Sequence, residues 1–467
     1  MGDRKLVLGI DVGTTSVKVC VVDCNENKII ARQAKDTQAN VPSELGCDGN
    51  KQDVPKIMSA LHACVSRLPK DLLKQVVSIG VCGQMHGVAL WQYSEESGAP
   101  WDRADNDSCR YDVRRTQVSS LYTWQDSRCH PDFLASLPKP KSHLQAYSGY
   151  GCNTLFWFSK YRPEKLEKFN CAGTVQDFAV AMLCNLKKPI MAVQNASSWG
   201  YFDTNSMEWN YEALEEAGFP VYLLPKVLAS GKVAGHLVDC WHSIPAGTPV
   251  GAALGDLQCS VLSALSHPDD AVMNISTSAQ LAFIASSFDP ENINEHSEVE
   301  FLPYFEGKYL AVAAALNGGN VLATFISMLQ QWTLELGCSI PQSKLWERVI
   351  ESASNKSSDS NMKVIPTLLG ERHAPQQNAT VSEIDPGNLS LGKVFKATCK
   401  GVIENLHSIM PREMLLDNNI ARIVGIGSAL TRNKVLQEEV RTCYQLPVVF
   451  ETRGGAAWGA AIAASAI

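Results

Sequence analysis

Short apolar runs separated by polar turns give this chain the grammar of a mixed α/β protein. Leu6-Val7-Leu8-Gly9-Ile10 predicts a buried strand, Gly13-Thr14-Thr15-Ser16 a tight turn, and Val17 to Asp23 the returning strand. Lys28 to Thr37 supplies a third strand. From Gln52 to Leu68, the apolar side chains Val54, Ile57, Met58, Leu61 and Val65 recur on one helical stripe. Val76 to Val81 is the next strand.

The second half repeats the order. Ala271 to Ile275 predicts a strand, Ser276-Thr277-Ser278 a polar turn, and Ala279 to Ala285 the return. Tyr309 to Leu316, a Gly-Gly turn and a helix from Val321 to about Leu336 follow. Arg422 to Ile426 is a strand, residues 432–444 a helix, Pro447 to Glu451 a strand, and Ala456 to Ala464 an Ala-rich helix. Two hairpin-led units in the same order predict internal duplication. Residues 94–119 carry charge, Gly, Asp and Asn with little periodicity and predict an exposed loop; 287–300 and 353–362 predict polar connectors.

Composition narrows the function. The 467 residues carry 41 Lys plus Arg against 48 Asp plus Glu, a net charge of −7, so no nucleic-acid or anionic-membrane partner is expected. Apolar residues make up 45%, ample for a large core. The N-terminus runs from Met1-Gly2-Asp3-Arg4-Lys5 straight into the first strand with no signal-peptide pattern. The longest apolar run, Tyr309 to Leu316, is far short of a membrane span. Fifteen cysteines without a C-x-x-C predict reduced thiols, a cytoplasmic protein and no zinc site.

Five segments offer chemistry. Asp11-Val12-Gly13-Thr14-Thr15-Ser16 combines a glycine turn with hydroxyls suited to a polyphosphate, and Asp11 at a strand end suited to a metal on those phosphates; a polar hairpin tip is the plainer reading. In Gly251 to Gln258, the lone carboxylate of Asp256 suits a proton acceptor or, more commonly, a turn cap. Gln84, Met85 and His86 end a buried strand and bring neutral hydrogen-bonding groups fit for a polyol, or a satisfied core histidine. Trp124 and Asp126 suit a sugar ring, although Trp is more often core. Gly425-Ile426-Gly427-Ser428 lies between a strand and a helix, where glycine lets backbone approach a nucleotide.

Taken in this order, the set resembles the FGGY carbohydrate kinases of the actin-like ATPase superfamily. The likeness runs through essentially the whole chain. It is carried further by Trp124 to Arg128, Phe133 to Pro138, Asn195 to Phe202, Leu316 to Phe325 and Leu369-Gly370-Glu371-Arg372-His373. The resemblance implies an α/β fold of two RNase H-like lobes with the active site in the cleft between them. The expected division is 1–260, with sugar-site insertions, and 261–467, with the boundary between Gly255 and Pro268. It implies ATP-dependent phosphorylation of a free ketose with Mg2+. Sedoheptulose, made into its 7-phosphate for the pentose phosphate pathway, is the expected substrate, and another ketose such as D-xylulose the alternative. No protein partner is implied.

By the same resemblance, Asp256 is the catalytic base and touches both sugar and metal, and Asp11 holds the magnesium. Gly13, Thr14 and Thr15 form the first phosphate turn and Thr277 belongs to the second. Gly318 and Gly319 open the helix beside the nucleotide, while Gly425, Gly427, Ser428 and Asn433 fall in the adenosine segment. Gln84, Met85, His86, Trp124, Asp126 and Gln258 fall around the sugar. Two departures stand out: Ser276-Thr277-Ser278-Ala279 lacks the glycines of many relatives, and Leu257 stands where xylulose-phosphorylating relatives often carry a polar residue. Lys18 either faces phosphate or is a solvated strand lysine. A nucleotide-dependent binding module of the same superfamily is the rival from a different class.

Overall fold

β1 (Leu6–Val12) is buried at every position, because the sheet it belongs to is covered on both faces. In this computed structural model the described residues are 5–96, 98–103, 110–291, 297–355, 359–451 and 454–467. β1 pairs antiparallel with β2 (Ser16–Asp23), which pairs antiparallel with β3 (Lys28–Asp36). Helix α1 (Val54–Val65) lays its apolar stripe on this sheet, its N-terminus capped by Asp53. β4 (Val76–Gly83) then runs parallel to β1 on its other side. β5 (Val233–His236) and β6 (Pro249–Gly251) complete the spatial order β5-β6-β4-β1-β2-β3, and β7 (Leu254–Gly255) also pairs parallel with β4.

The second sheet is built from β8 (Asp270–Ile275), β9 (Ala279–Ile284), β10 (Glu300–Pro303), β11 (Tyr309–Ala315), β12 (Arg422–Ile426) and β13 (Val448–Phe450). Its order is β10-β11-β9-β8-β12-β13. The core arrangement β3-β2-β1-β4-β6 therefore recurs as β11-β9-β8-β12-β13, with the same antiparallel and parallel senses. This is the RNase H-like pattern, present twice, as the repeated hairpins predicted.

Two helices join the sheets. α2 (Asp256–Ala264) leaves β7 and leads to β8, and α3 (Ala456–Ala464) closes the chain. The placement of α3 differs from the expected C-terminal lobe: it packs on β1 and β4 of the first sheet and on α2. Its composition explains how. A Cβ added at Gly9 would stand 1.8 Å from the Ala457 carbonyl oxygen, and one at Gly80 1.9 Å from that of Ala460. Only a helix of small residues lies that close to a sheet of β1 and β4.

Residues between β4 and β5 form a separate apolar cluster around Phe156, Trp199, Tyr201, Phe202 and Trp209. The expected loop at 94–119 is a correction: Trp101–Arg103 and Tyr111–Val113 pair as a hairpin, and Trp101 is buried edge-on to Phe178 at 5.6 Å. The aromatic side chains outweigh the polar composition there. Residues 97 and 104–109 of that stretch, 292–296 of the 287–300 connector and 356–358 of the 353–362 connector lie outside the described residues. Among the described cysteines other than Cys240, thirteen carry free thiols. No helix among the described residues is long and apolar enough to cross a membrane.

Candidate active site

Sheet register brings the two carboxylates together. Asp11, near the end of β1, is the parallel partner of Cys82 on β4, and Cys82 is the partner of Leu254 on β7. Two residues beyond Leu254 the chain turns into α2, whose first residue is Asp256. Three neighbouring strand ends thus deliver both acids to one place. Burial, then the negative charge of Asp11, push the Asp256 carboxyl up to about 7; the Leu257 backbone N–H and Lys18 oppose that rise. Asp11 is also raised by burial, with Lys18 pulling it down. Asp11 Oδ1 is buried without a hydrogen-bond partner. Its Oδ2 lies 3.4 Å from Lys18 Nζ, so Lys18 is neither simply solvated nor free of the site.

The first hydroxyl turn is braced from behind. Gln52 Nε2 donates to the Thr14 carbonyl at 2.8 Å, and Thr37 N to the Thr15 carbonyl at 2.9 Å. Trp124 Nε1 donates to Thr14 Oγ1 at 3.0 Å, which ties Trp124 to the Gly13-Thr14-Thr15 turn. Gln84 joins the same scaffold: its Nε2 donates to Gln52 Oε1 at 3.1 Å, and its carbonyl accepts from Gln176.

His86 leaves this scaffold at φ +74°, a left-handed conformation rare for a side-chain-bearing residue. Its ring stacks on Tyr150 with centroids 4.4 Å apart and planes 10° from parallel. Its Nδ1 is 2.9 Å from the Ser198 carbonyl, which only accepts, so Nδ1 carries the hydrogen and Nε2 is the acceptor. Burial and then the charge of Arg372 push its pKa down to about 3, so the ring is neutral. Met85 is buried, with its Sδ 2.8 Å from where a Gly255 Cβ would be.

One expected sugar contact is engaged elsewhere, and a second is engaged through one of its two polar atoms. Asp126 forms a buried ion pair with Arg128, Oδ1 accepting from Nε at 2.7 Å and Oδ2 from Nη2 at 2.9 Å, and Oδ2 also accepts from Asn50 N. Neither oxygen is spare, which corrects the sugar-flanking expectation. Gln258 is fully buried and donates through Nε2 to the Pro303 carbonyl at 3.3 Å; its Oε1 has no partner.

The second hydroxyl turn is enclosed by glycines. α4 (Gly319–Glu335) starts at Gly318, and Asn320 N donates to the Thr277 carbonyl at 3.0 Å. A Cβ on Gly318 would meet the Ser278 carbonyl carbon at 2.4 Å, and one on Gly319 the Ser276 oxygen at 1.9 Å. Gly427, at φ +90°, abuts Ile275 in the same way at 2.4 Å, and Ser428 is exposed beside it. At the start of α4 the N–H groups of Gly318, Asn320 and Val321 are already donated, to Asn320 Oδ1 and the Thr277 carbonyl, so the turn is held shut by its own hydrogen bonds. Gly425 instead makes room for Phe450. Asn433 is a further correction: it is buried and caps helix α5 (Lys434–Tyr444), its Oδ1 accepting from Val435 N and Leu436 N, which leaves its side chain committed to the helix.

The sequence reading did not assign roles to Gln52, Tyr150, Glu300 or Arg372. Arg372 stood in a quoted segment, but nothing in its spacing showed that it reaches Tyr150, 222 positions away.

A duplicated RNase H-like fold with two acids at neighbouring strand ends and two hydroxyl turns is the framework of a sugar kinase. The chain belongs to the FGGY family of carbohydrate kinases, whose N-terminal domain model matches residues 6–263. It is 47% identical to the sedoheptulokinase of Homo sapiens and 46% to that of Mus musculus, each alignment covering 99% of this chain and 98% of the relative. Its fold is also that of the xylulose kinase from Rhodospirillum rubrum, with a TM-score of 0.75 at 16% identity over 98% of this chain and 89% of that one.

Proposed function

We propose that this chain transfers the γ-phosphoryl group of ATP to the terminal hydroxyl of sedoheptulose, yielding sedoheptulose 7-phosphate and ADP. The likeness to the human and mouse sedoheptulokinases over nearly the whole chain supports the substrate. The observation that carries the chemistry is Asp256, held at a pKa of about 7 beside Asp11.

An acid poised near neutrality is suited to accept a proton from an alcohol as it becomes a nucleophile. The sugar oxygen bonds to the γ-phosphorus, the bond from that phosphorus to the bridging oxygen breaks, ADP leaves with the electron pair, and the hydroxyl proton passes to Asp256. Little covalent work falls to the protein, so positioning and charge stabilisation dominate. We assign Gly13, Thr14 and Thr15 to one side of the phosphates and Thr277, Gly318 and Gly319 to the other. Gly427 and Ser428 border the nucleotide.

The residues fit a magnesium ion: Asp11 has a buried oxygen without a partner, and Asp256 adds a second acid. No group of three or more ligating side chains is found among the described residues, so phosphate and water would complete the ion's shell. When bound, the ion neutralises charge on the phosphates. Gln84, Met85 and His86 line the sugar side, with His86 Nε2 accepting from a hydroxyl. The functional division follows the two sheets, near residue 260, and the free thiols suit a cytoplasmic setting.

The test is ADP release with MgATP against sedoheptulose, D-xylulose, D-ribulose, fructose and glycerol. A clear preference for sedoheptulose in kcat/KM is expected. Preference for a pentulose overturns the substrate; no sugar-stimulated turnover from folded, nucleotide-binding protein overturns the kinase reading.

A further inference from the structure

Two adjacent residues, Glu371 and Arg372, reach in different directions. Glu371 is buried and accepts three hydrogen bonds: from Leu316 N, from Asn317 Nδ2 and from Asn405 Nδ2, each at 2.8 Å. Asn317 in turn donates to the Gly370 carbonyl at 2.7 Å and accepts from Leu369 N. Segment 369–371 and the turn opening α4 are therefore one hydrogen-bonded unit. The next residues of that turn, Gly318 and Gly319, lie against the Ser276–Ser278 backbone.

Arg372 leaves this unit for the other half of the chain. Its Nη1 donates to the Tyr150 hydroxyl at 3.0 Å, and its guanidinium lies 5.4 Å from the Tyr150 ring and 5.7 Å from that of Tyr147. Tyr150 is the ring on which His86 stacks. The half-buried Glu300, with Oε1 enclosed and unpartnered, is also in the field of Arg372.

We propose that Arg372 is a positioning residue that joins the sugar wall to the nucleotide turn, so that each ligand strengthens binding of the other. The inference rests on the kinase reading above. The Arg372–Tyr150 bond forms in one relative placement of the two halves. Glu371 fixes the base of Arg372 to the Asn317 turn, so a ligand that favours that placement at either end favours it at both. Such linkage is reciprocal, and its size is read as a ratio of affinities.

The experiment is calorimetric titration of sedoheptulose into the full-length protein, alone and saturated with MgADP. In the wild type, MgADP is expected to tighten sugar binding about tenfold. In Arg372→Met and Tyr150→Phe the ratio falls toward one. Arg372→Lys restores part of the ratio, and the double variant falls no further than either single one. A merely structural role would lower Tm and leave the ratio intact; that result overturns the proposal. So does a wild type that turns over sugar without any coupling. Tyr150→Phe removes a single oxygen and keeps the test available if Arg372→Met does not fold. Failure of the kinase reading is distinguished by absent ADP release in the wild type.

Discussion

Lys18 Nζ stands 3.4 Å from Asp11 Oδ2, and the two residues are direct partners across the β1–β2 hairpin. Lys18 lowers the pKa of both Asp11 and Asp256, against the burial that raises them. Its side chain is more than half exposed, so the pair contributes little to folding. Its effect is on protonation. Lys18→Met should move the acid limb of the kcat/KM profile to higher pH and change Tm little. A limb that stays in place would show that Lys18 does not act on the reacting acid.

Asp256 should trade stability for activity. Its pKa is raised from 3.8 to about 7 in the folded chain. Between those values the folded state keeps a proton that the unfolded chain has released, so stability falls as pH rises through this window and the full cost is present above it. The base works deprotonated, so kcat/KM should fall as pH drops below about 7. Asp256→Asn removes the charge and the titration together. It should lower kcat by roughly 10²–10⁴-fold, leave MgATP binding largely intact, and raise Tm at pH 8 but not at pH 4. Equal Tm shifts at both pH values would contradict the burial cost.

Asp126 and Arg128 are predicted to serve folding. Their ion pair is almost fully buried, and the guanidinium sits 4.5 Å from the Tyr122 ring and 4.9 Å from that of Phe158. Asp126→Ala strands the arginine and should cost about 3–5 kcal/mol in chemical denaturation. A raised sugar KM with unchanged stability would return Asp126 to the sugar site.

The contrast between Asp126 and Asp256 shows how far the sequence could be read. Continuous apolar runs and a helical stripe gave the paired hairpins and α1, because β1 is buried throughout, β2 nearly so, and α1 lays its stripe on their sheet. Asp11 was legible as a strand-end acid, whereas Asp256 stood out only as a lone carboxylate in a glycine-framed segment, because β7, at two residues, is too short to show as a strand. What a side chain does at its site depends on which partners the fold gives it, near or far along the chain. Asp126 meets Arg128 and Asn50, and Asn433 meets its own helix start. Arg372 meets Tyr150 across 222 positions. Of these, only the Asn50 and Tyr150 contacts lie beyond local pattern; the Arg128 pair and the Asn433 cap are local, but the resemblance assigns Asp126 and Asn433 to ligands. Likewise, the Ala-rich run at 456–464 announced a helix, but its crossing onto the first sheet depends on Gly9 and Gly80. The hairpin at 101–113 was hidden because its strands are only three residues each.

Gly427 offers the sharpest test of the second phosphate turn. At φ +90° it occupies a conformation costly to residues with a Cβ, and that Cβ would meet the Ile275 carbonyl oxygen at 2.4 Å and Asn274 Oδ1 at 2.5 Å. Gly307 provides the control: its φ is +72°, but nothing lies within 4 Å of where its Cβ would be. Alanine at Gly307 should therefore cost only backbone strain, about 1–2 kcal/mol, with kinetic constants unchanged. Alanine at Gly427 should cost more, because backbone at 274–275 must also shift, and the turn carrying Thr277 follows directly. The expected signature of Gly427→Ala is an elevated KM for MgATP with a nearly normal KM for sugar, seen after correcting for the folded fraction. If both variants lose stability equally and neither changes the KM for MgATP, Gly427 serves the fold alone and the nucleotide assignment of this loop is lost.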